Sequence, residues 1–310
     1  MNSKRAPKIF NIMILTLIAV MSLIIRLLNE YNFEQSALLY VGVPFLVALA
    51  LLWIDRPDSQ GSWKKELLNH TLLALVVMLG SSVILFEGFL CVVMFMPIYF
   101  GVILLTFVYR YSVERYQLRK KGRLYSHIIP VLIVFGALEG SHPSLSMPRE
   151  EQVSVTAVVN LNISEIKANL TKINDLKKDR QWFLALFPMP HRVDAKSMKV
   201  GEIHTLDYRY HRWFVTNTHS GSMQMQVQRN DEQVVISKFI KDTSYIANYL
   251  QLNQSQINFE PVSDTKTKVT LTISYTRLLD PAWYFGPLQQ YGLTKTAEFL
   301  LKEVISHEDD

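Results

Sequence analysis

Cysteine is nearly absent. Cys91 is the only one in 310 residues, which excludes an intramolecular disulfide and any cysteine-based zinc cluster. The phosphate-cradling loops are missing too. Neither a Walker A run nor Gly-x-Gly-x-x-Gly occurs, so no motif marks a nucleotide site. A Gly-x-Ser-x-Gly nucleophile elbow is also lacking, and the nearest run, Ser220-Gly221-Ser222, reads as a turn. Four histidines, His191, His204, His211 and His219, are spaced by 13, 7 and 8, which fits no zinc pattern. The sequence therefore assigns no metal ligands, no cofactor and no catalytic residue.

Charge is scarce at 19% and unevenly placed. Residues 1–149 hold 14 Lys+Arg and 8 Asp+Glu, whereas residues 150–310 hold 18 and 19. The basic excess thus belongs to the more hydrophobic half, in loops between apolar runs. That pattern points to a lipid bilayer as partner and away from nucleic acid.

A membrane-spanning helix needs about 20 mostly apolar residues. Five stretches are candidates, at 9–28, 37–54, 67–86, 88–109 and 124–141. The last is interrupted by His127, Pro130 and Glu139. The expected first domain, 1–141, is a transmembrane bundle of about five helices. No small-x-small cleavage site follows the first stretch, so it reads as an uncleaved anchor and not a signal peptide. Twelve basic residues fall in the N-terminus and the second and fourth loops, and none in the first and third. By the positive-inside rule the N-terminus is cytoplasmic. Five spans put the second half outside the cytoplasm, in a periplasm if this is a bacterial inner membrane; four would leave it cytoplasmic. Glu87, in the turn Phe86-Glu87-Gly88, is the membrane-embedded candidate together with Cys91. A carboxylate at depth often marks a site, while one in an interfacial turn is ordinary.

A polar linker, 142–151, precedes a change to period two. Val153, Val155, Ala157, Val159 and Leu161 alternate with mostly polar neighbours, as in a half-buried strand. Ser164 can cap a short helix, and Asp179–Phe187 reads as a second, aromatic-rich helical piece. Strands follow at Ile203–Trp213, Met223–Val227, Val234–Ile240, Ile246–Leu252, Ile257–Val262 and Val269–Tyr275, separated by Ser220-Gly221, Asn230-Asp231 and Ser263-Asp264 turns. Asp280-Pro281 opens a closing helix that Gly286-Pro287 restarts, with Leu293, Ala297, Leu300, Leu301 and Val304 on one face. The second domain is therefore α+β, an antiparallel sheet covered by one long C-terminal helix, over 152–306 with a tail at 307–310.

This order of elements, with Trp182-Phe183…Phe187-Pro188 before the strands and Leu279-Asp280-Pro281-Ala282-Trp283-Tyr284-Phe285-Gly286-Pro287 opening the last helix, resembles the START/polyketide-cyclase-like/Bet v 1-like superfamily. The spacing Glu87-Gly88-x-x-Cys91-x-x-Met94-x-x-Pro97 is similar to a run in some membrane-embedded bacterial relatives. The resemblance implies a helix-grip fold around a hydrophobic cavity. Its implied lining is Trp182, Phe183, Phe187, Tyr208, Tyr210, Trp213, Tyr275, Trp283, Tyr284, Phe285 and Tyr291. As plain core these aromatics would fit equally well.

Three functions stay open at this point. The first is a membrane-tethered binding module for a lipid or other hydrophobic small molecule. The second is an enzyme of cyclase or hydrolase type on a hydrophobic substrate, and the third an interaction or assembly protein of the cell envelope.

Overall fold

The computed structural model describes residues 35–46, 48, 64–65, 67–69, 71–73, 75–76, 89–117, 128–171, 184, 187, 190–213 and 216–302. The chain divides into two compact units, Met1–Met147 with Leu279–Tyr284, and Pro148–Leu278 with Phe285–Asp310.

In the first unit, α1 (Phe89–Gln117) and α2 (Ile128–Ala137) accompany a short π-helix, Leu38–Gly42. The expected five-helix membrane bundle does not stand. Among the described residues one helical stretch, Val93–Ser112 within α1, is long and apolar enough to cross a bilayer. Within the stretch expected at 124–141, the described residues form a helix of ten residues, Ile128–Ala137. At about 1.5 Å per residue that covers roughly half of a hydrocarbon core. Apolar composition sets a minimum for spanning and cannot tell a spanning helix from a buried one, which is why the count overshot. The stretch 9–28 and Glu87 lie outside the described residues, and 37–54 and 67–86 are described only in part.

Glu139, one of the charges interrupting the fifth stretch, has a structural task in this unit. Its backbone carbonyl accepts from Ala37 N (2.9 Å), and its carboxylate accepts from Ala282 N (3.0 Å), satisfying a donor that a helix start leaves open. Tyr284 donates its hydroxyl to the Met94 carbonyl (2.5 Å), and Tyr40 stacks on Phe95 at 4.3 Å.

The second unit is a seven-stranded antiparallel sheet: β1 (Glu150–Val159), β2 (Pro190–Asp194), β3 (Ile203–Trp213), β4 (Thr216–Asn230), β5 (Val234–Asp242), β6 (Leu250–Ser263) and β7 (Lys266–Arg277). Its order is β1-β7-β6-β5-β4-β3-β2, so β2 to β7 form a meander and β1 closes on β7. Between β1 and β2 lies α3 (Ile163–Asn169); last comes α4 (Ala282–Leu300).

Alternation sorts the two faces of the sheet. On β7, Thr267, Val269, Leu271, Ile273, Tyr275 and Arg277 are all buried. On β1 their partners are Val159, Ala157, Val155, Val153 and Glu151 for the first five. The opposite face is polar, with Ser154–Thr272 and Thr156–Thr270 hydroxyl pairs at 2.8 and 2.9 Å. The inner face packs with Ile166 of α3, Leu184, Ala297 and Phe299 of α4, and Leu301 just after it. Each such fully buried aliphatic or aromatic side chain contributes about 1.5–3 kcal/mol. Register shifts in β4, β5 and β6 strengthen local twist and curl the sheet around this core.

Several boundaries differ from the sequence reading. The cap of α3 is Asn162, not Ser164, and Asn162 and Glu165 form a capping box with two 2.9 Å bonds. Ser220-Gly221 lies inside the long strand β4 and makes no turn. A 3₁₀ turn, Tyr245–Asn248, replaces the start of the strand expected at 246–252, and the rest merges with 257–262 into β6. Pro287 lies within an uninterrupted α4, so the helix does not restart there.

Candidate functional site

The inner face is not uniform along its length. Towards Val159, Val269, Phe259, Val235 and Val227 it is aliphatic and aromatic. Towards the other end, where β7 finishes and β1 begins, polar and phenolic side chains gather. Register carries this end across the sheet: Glu151 pairs with Tyr275, Leu250 with Arg277, Met223 with Asp242, and Tyr208 with Gly221.

At the β1/β7 corner, Arg277 is fully buried. Its Nε donates to Glu151 Oε1 (3.2 Å), and a terminal amino group donates to the Pro148 carbonyl (3.4 Å). Tyr275 donates its hydroxyl to Glu151 Oε2 (2.6 Å). Burial, reinforced by the Glu151 carboxylate as hydrogen-bond acceptor and neighbouring charge, pushes the Tyr275 phenol well above its usual value. A β-carbon on Gly286 would stand 3.4 Å from Glu151 Oε1, so the glycine gives the carboxylate room beside α4.

At the β3/β4/β5 corner the chain folds over the sheet. A β-carbon at Gly221 would meet the Thr243 carbonyl at 2.1 Å, so only glycine admits this crossing. Thr243 N donates to the Ser222 carbonyl (2.8 Å), and Ser222 N donates to Thr243 Oγ1 (2.9 Å). The crossing delivers Tyr245, which is buried, stacked on Tyr210 at 4.8 Å and edge-on to Tyr249 at 5.5 Å. His219 Nε2 lies 3.1 Å from the Thr243 carbonyl. Tyr208 is buried with its hydroxyl 3.8 Å from Met223 Sδ. Its phenol is pushed up by burial and by the charge of Asp242. Asp242 is itself raised, by burial, against hydrogen bonding from the Ser244 side chain and from the Ser244 backbone N–H (2.8 Å).

From α4, Gln289 reaches the same end. Its Nε2 donates to the Tyr249 carbonyl (3.0 Å).

The aromatic residues named from the sequence distribute as follows. Tyr208, Tyr275 and Phe285 are buried in the second unit, Tyr210 is half-buried beside them, and Phe187 is half-buried. Tyr291 is half exposed and Trp283 is 60% exposed. Tyr284 belongs to the first unit. Trp213 lies in β3 and Cys91 in α1, while Trp182, Phe183 and Glu87 fall outside the described residues.

Glu151, Arg277, Asp242, Ser244, Gln289, Tyr245 and Tyr249 were not singled out from sequence. Two of them carried a readable signal. Glu151 continues the inward phase Val153–Val155–Ala157, and Arg277 continues Val269–Leu271–Ile273–Tyr275, so each puts a charge in an apolar stripe. Asp242 gave none, because the bulge at Gln224/Met225 resets the phase between β4 and β5. His204 is buried with Nε2 2.7 Å from the Ser197 carbonyl, a structural role. Among the described residues no group of three or more His, Cys, Asp or Glu side chains could hold a metal ion.

The strand order, the closing β1–β7 pair and α4 on the inner face define a helix-grip arrangement. No protein-family model matches the sequence, and no curated protein matches it. Solved structures similar to it are Bet v 1/START/polyketide-cyclase-fold proteins. The Zhui aromatase/cyclase from a Streptomyces species is 12% identical, covering 50% of this chain and 93% of that one, at TM-score 0.32. Norcoclaurine synthase from Thalictrum flavum, solved with dopamine and hydroxybenzaldehyde, is 14% identical over 52% of this chain and 90% of that one, at TM-score 0.32. A START superfamily protein from Mycobacterium smegmatis is 14% identical over 49% of this chain and 96% of that one, also at TM-score 0.32. At such scores the likeness carries no argument, and the fold assignment stands on strand order and register.

Proposed function

We propose that the second unit binds a lipid or other hydrophobic small molecule on the inner face of its sheet, and that the first unit tethers it to a membrane. The observation carrying the binding reading is the graded inner face: an apolar length ending in a cluster of buried tyrosines and polar atoms. Ligand sites have this composition, apolar walls with a few placed polar groups. The tether is supported by the apolar stretch Val93–Ser112, which exposes Leu104, Leu105 and Val108, and by Leu132 and Phe135 of α2, exposed by 63% and 69%.

A catalytic reading has one observation behind it, the Glu151–Tyr275 pair on the inner face. Tyr275 holds its proton far above neutrality and both Glu151 oxygens are engaged, so the pair serves packing better than proton transfer. The interaction-protein reading has no specific observation in its favour.

To test the binding reading, the full chain is purified in mild detergent, extracted, and searched by mass spectrometry for a stoichiometric apolar molecule. Absence of any such molecule, together with failure to take up added lipid, refutes it. Release of the full chain from membranes by alkaline carbonate refutes the tether.

A further inference from the structure

The sequence places Trp283 among the cavity-lining candidates, but in the structure it is 60% exposed, with its ring edge-on to Tyr284. A single exposed aromatic is ordinary on a protein surface. The position of this one is not.

The segment Leu279–Tyr284 belongs to the first unit, where it is held at the ends of two apolar helices. Tyr284 donates its hydroxyl to the carbonyl of Met94, the second residue of the apolar stretch Val93–Ser112. Ala282 N donates to the carboxylate of Glu139, two residues beyond the end of α2. Asp280 N donates to the Gln35 carbonyl (2.7 Å), and a β-carbon on Gly140 would collide with the Asp280 carboxylate. Trp283 therefore stands level with the start of one apolar helix and the finish of the other.

The far end of the stretch carries the same kind of residue. From Met94 to Tyr111, α1 rises about 26 Å at about 1.5 Å per residue, close to a hydrocarbon core of about 30 Å. Leu104, Leu105 and Val108 are exposed along that length, and Tyr111 is exposed at its end beside Arg110. Aromatic rings at both borders, with exposed aliphatic side chains between them, is the distribution that a bilayer selects. An indole suits a border because its ring is apolar and its N–H finds a partner among the head groups. Leu145 and Met147, exposed in the connection that leaves Gly140, add apolar surface beyond α2.

We propose that Trp283 is an interfacial membrane anchor, its indole seated in the head-group layer at the Met94 end of the stretch Val93–Ser112. The assignment rests on the tether reading above and specifies which residue marks one border of the bilayer. Continuity with the apolar stretch favours lipid over a partner protein as the cover for this ring.

The test is tryptophan emission of the full chain reconstituted in phosphatidylcholine vesicles, with bromine placed on the acyl chains either near the glycerol or near the methyl end. Subtracting the spectrum of Trp283→Phe isolates this indole among the five tryptophans. Trp283→Tyr gives an independent subtraction. The isolated emission is expected to be quenched at least about twofold more by bromine near the glycerol, because belt rings sit at head-group level. Stronger quenching by bromine near the methyl end overturns the interfacial placement. Absence of lipid quenching, while the chain still floats with the vesicles in a density gradient, means that water or protein covers the ring; it overturns the anchor and leaves the tether intact. A chain that does not float with the vesicles overturns the tether reading, and the anchor with it.

Discussion

Removing the Arg277 guanidinium is expected to be among the costlier single changes in the second unit. Arg277→Met keeps a long unbranched side chain and deletes the charge. It takes away the ion pair to Glu151 and the bond to the Pro148 carbonyl, and leaves Glu151 with Tyr275 as its remaining neutral donor. Breaking a buried pair on one side costs about 3–5 kcal/mol. The Glu151 side chain keeps 26% exposure, so water reaches part of it and the lower end applies, about 3 kcal/mol. For a unit of this size that lowers the thermal midpoint by roughly 6–12 °C. Glu151→Gln, which leaves the buried guanidinium without its counter-charge, should cost a similar amount. The double variant removes both charges and still offers Tyr275 an amide oxygen. Its expected cost is about 1–2 kcal/mol, less than either single change. The assay is thermal unfolding of the full chain in mild detergent, followed by near-ultraviolet tyrosine signals. Additive costs, within about 0.5 kcal/mol, would refute the coupling and show that the three groups do not act as one network.

Other outcomes follow from the same geometry. Gly221→Ala should cost at least about 2 kcal/mol, because the new β-carbon would meet the Thr243 carbonyl at 2.1 Å; a variant as stable as the parent would disprove the crossing. Asn162→Ala should cost about 1 kcal/mol by opening the capping box, and hydrogen exchange should rise first at Glu165. Tyr275 has a folded pKa raised above its unfolded value of about 10, so its contribution is complete below that pH and is lost as pH rises beyond it. Unfolding midpoints measured from about pH 8 to about pH 11 should therefore fall at the alkaline end, less so in Tyr275→Phe. A flat profile in the parent would contradict the burial of the phenol.

Much of the sheet was legible because one face is buried and the other wet. The stripes Val153–Val159 and Val269–Tyr275 predicted two strands with the buried phase correct, while their pairing as β1 and β7 is seen only in the structure. Legibility failed where tertiary geometry overrides local signals. Ser220-Gly221 has turn chemistry, yet the glycine is there for a backbone crossing inside β4. The Gly286-Pro287 break was overridden as well, since a helix gripping a core can keep a proline. β2 is short, starts at Pro190 and pairs with β3 through a register shift, so period two never develops there. For the candidate site, tyrosines at 208 and 275 were found as aromatics. Asp242, Ser244 and Gln289 were not, because the surroundings of a polar side chain are tertiary and spacing does not encode them.

The most direct measurement is photolabelling of the full chain with a diazirine-bearing fatty alcohol, followed by peptide mapping. Labels are expected on inward residues of the second unit such as Met223, Leu252 and Leu293. Labels confined to α1 and α2, or scattered over the polar outer face of the sheet, would contradict a ligand held on the inner face.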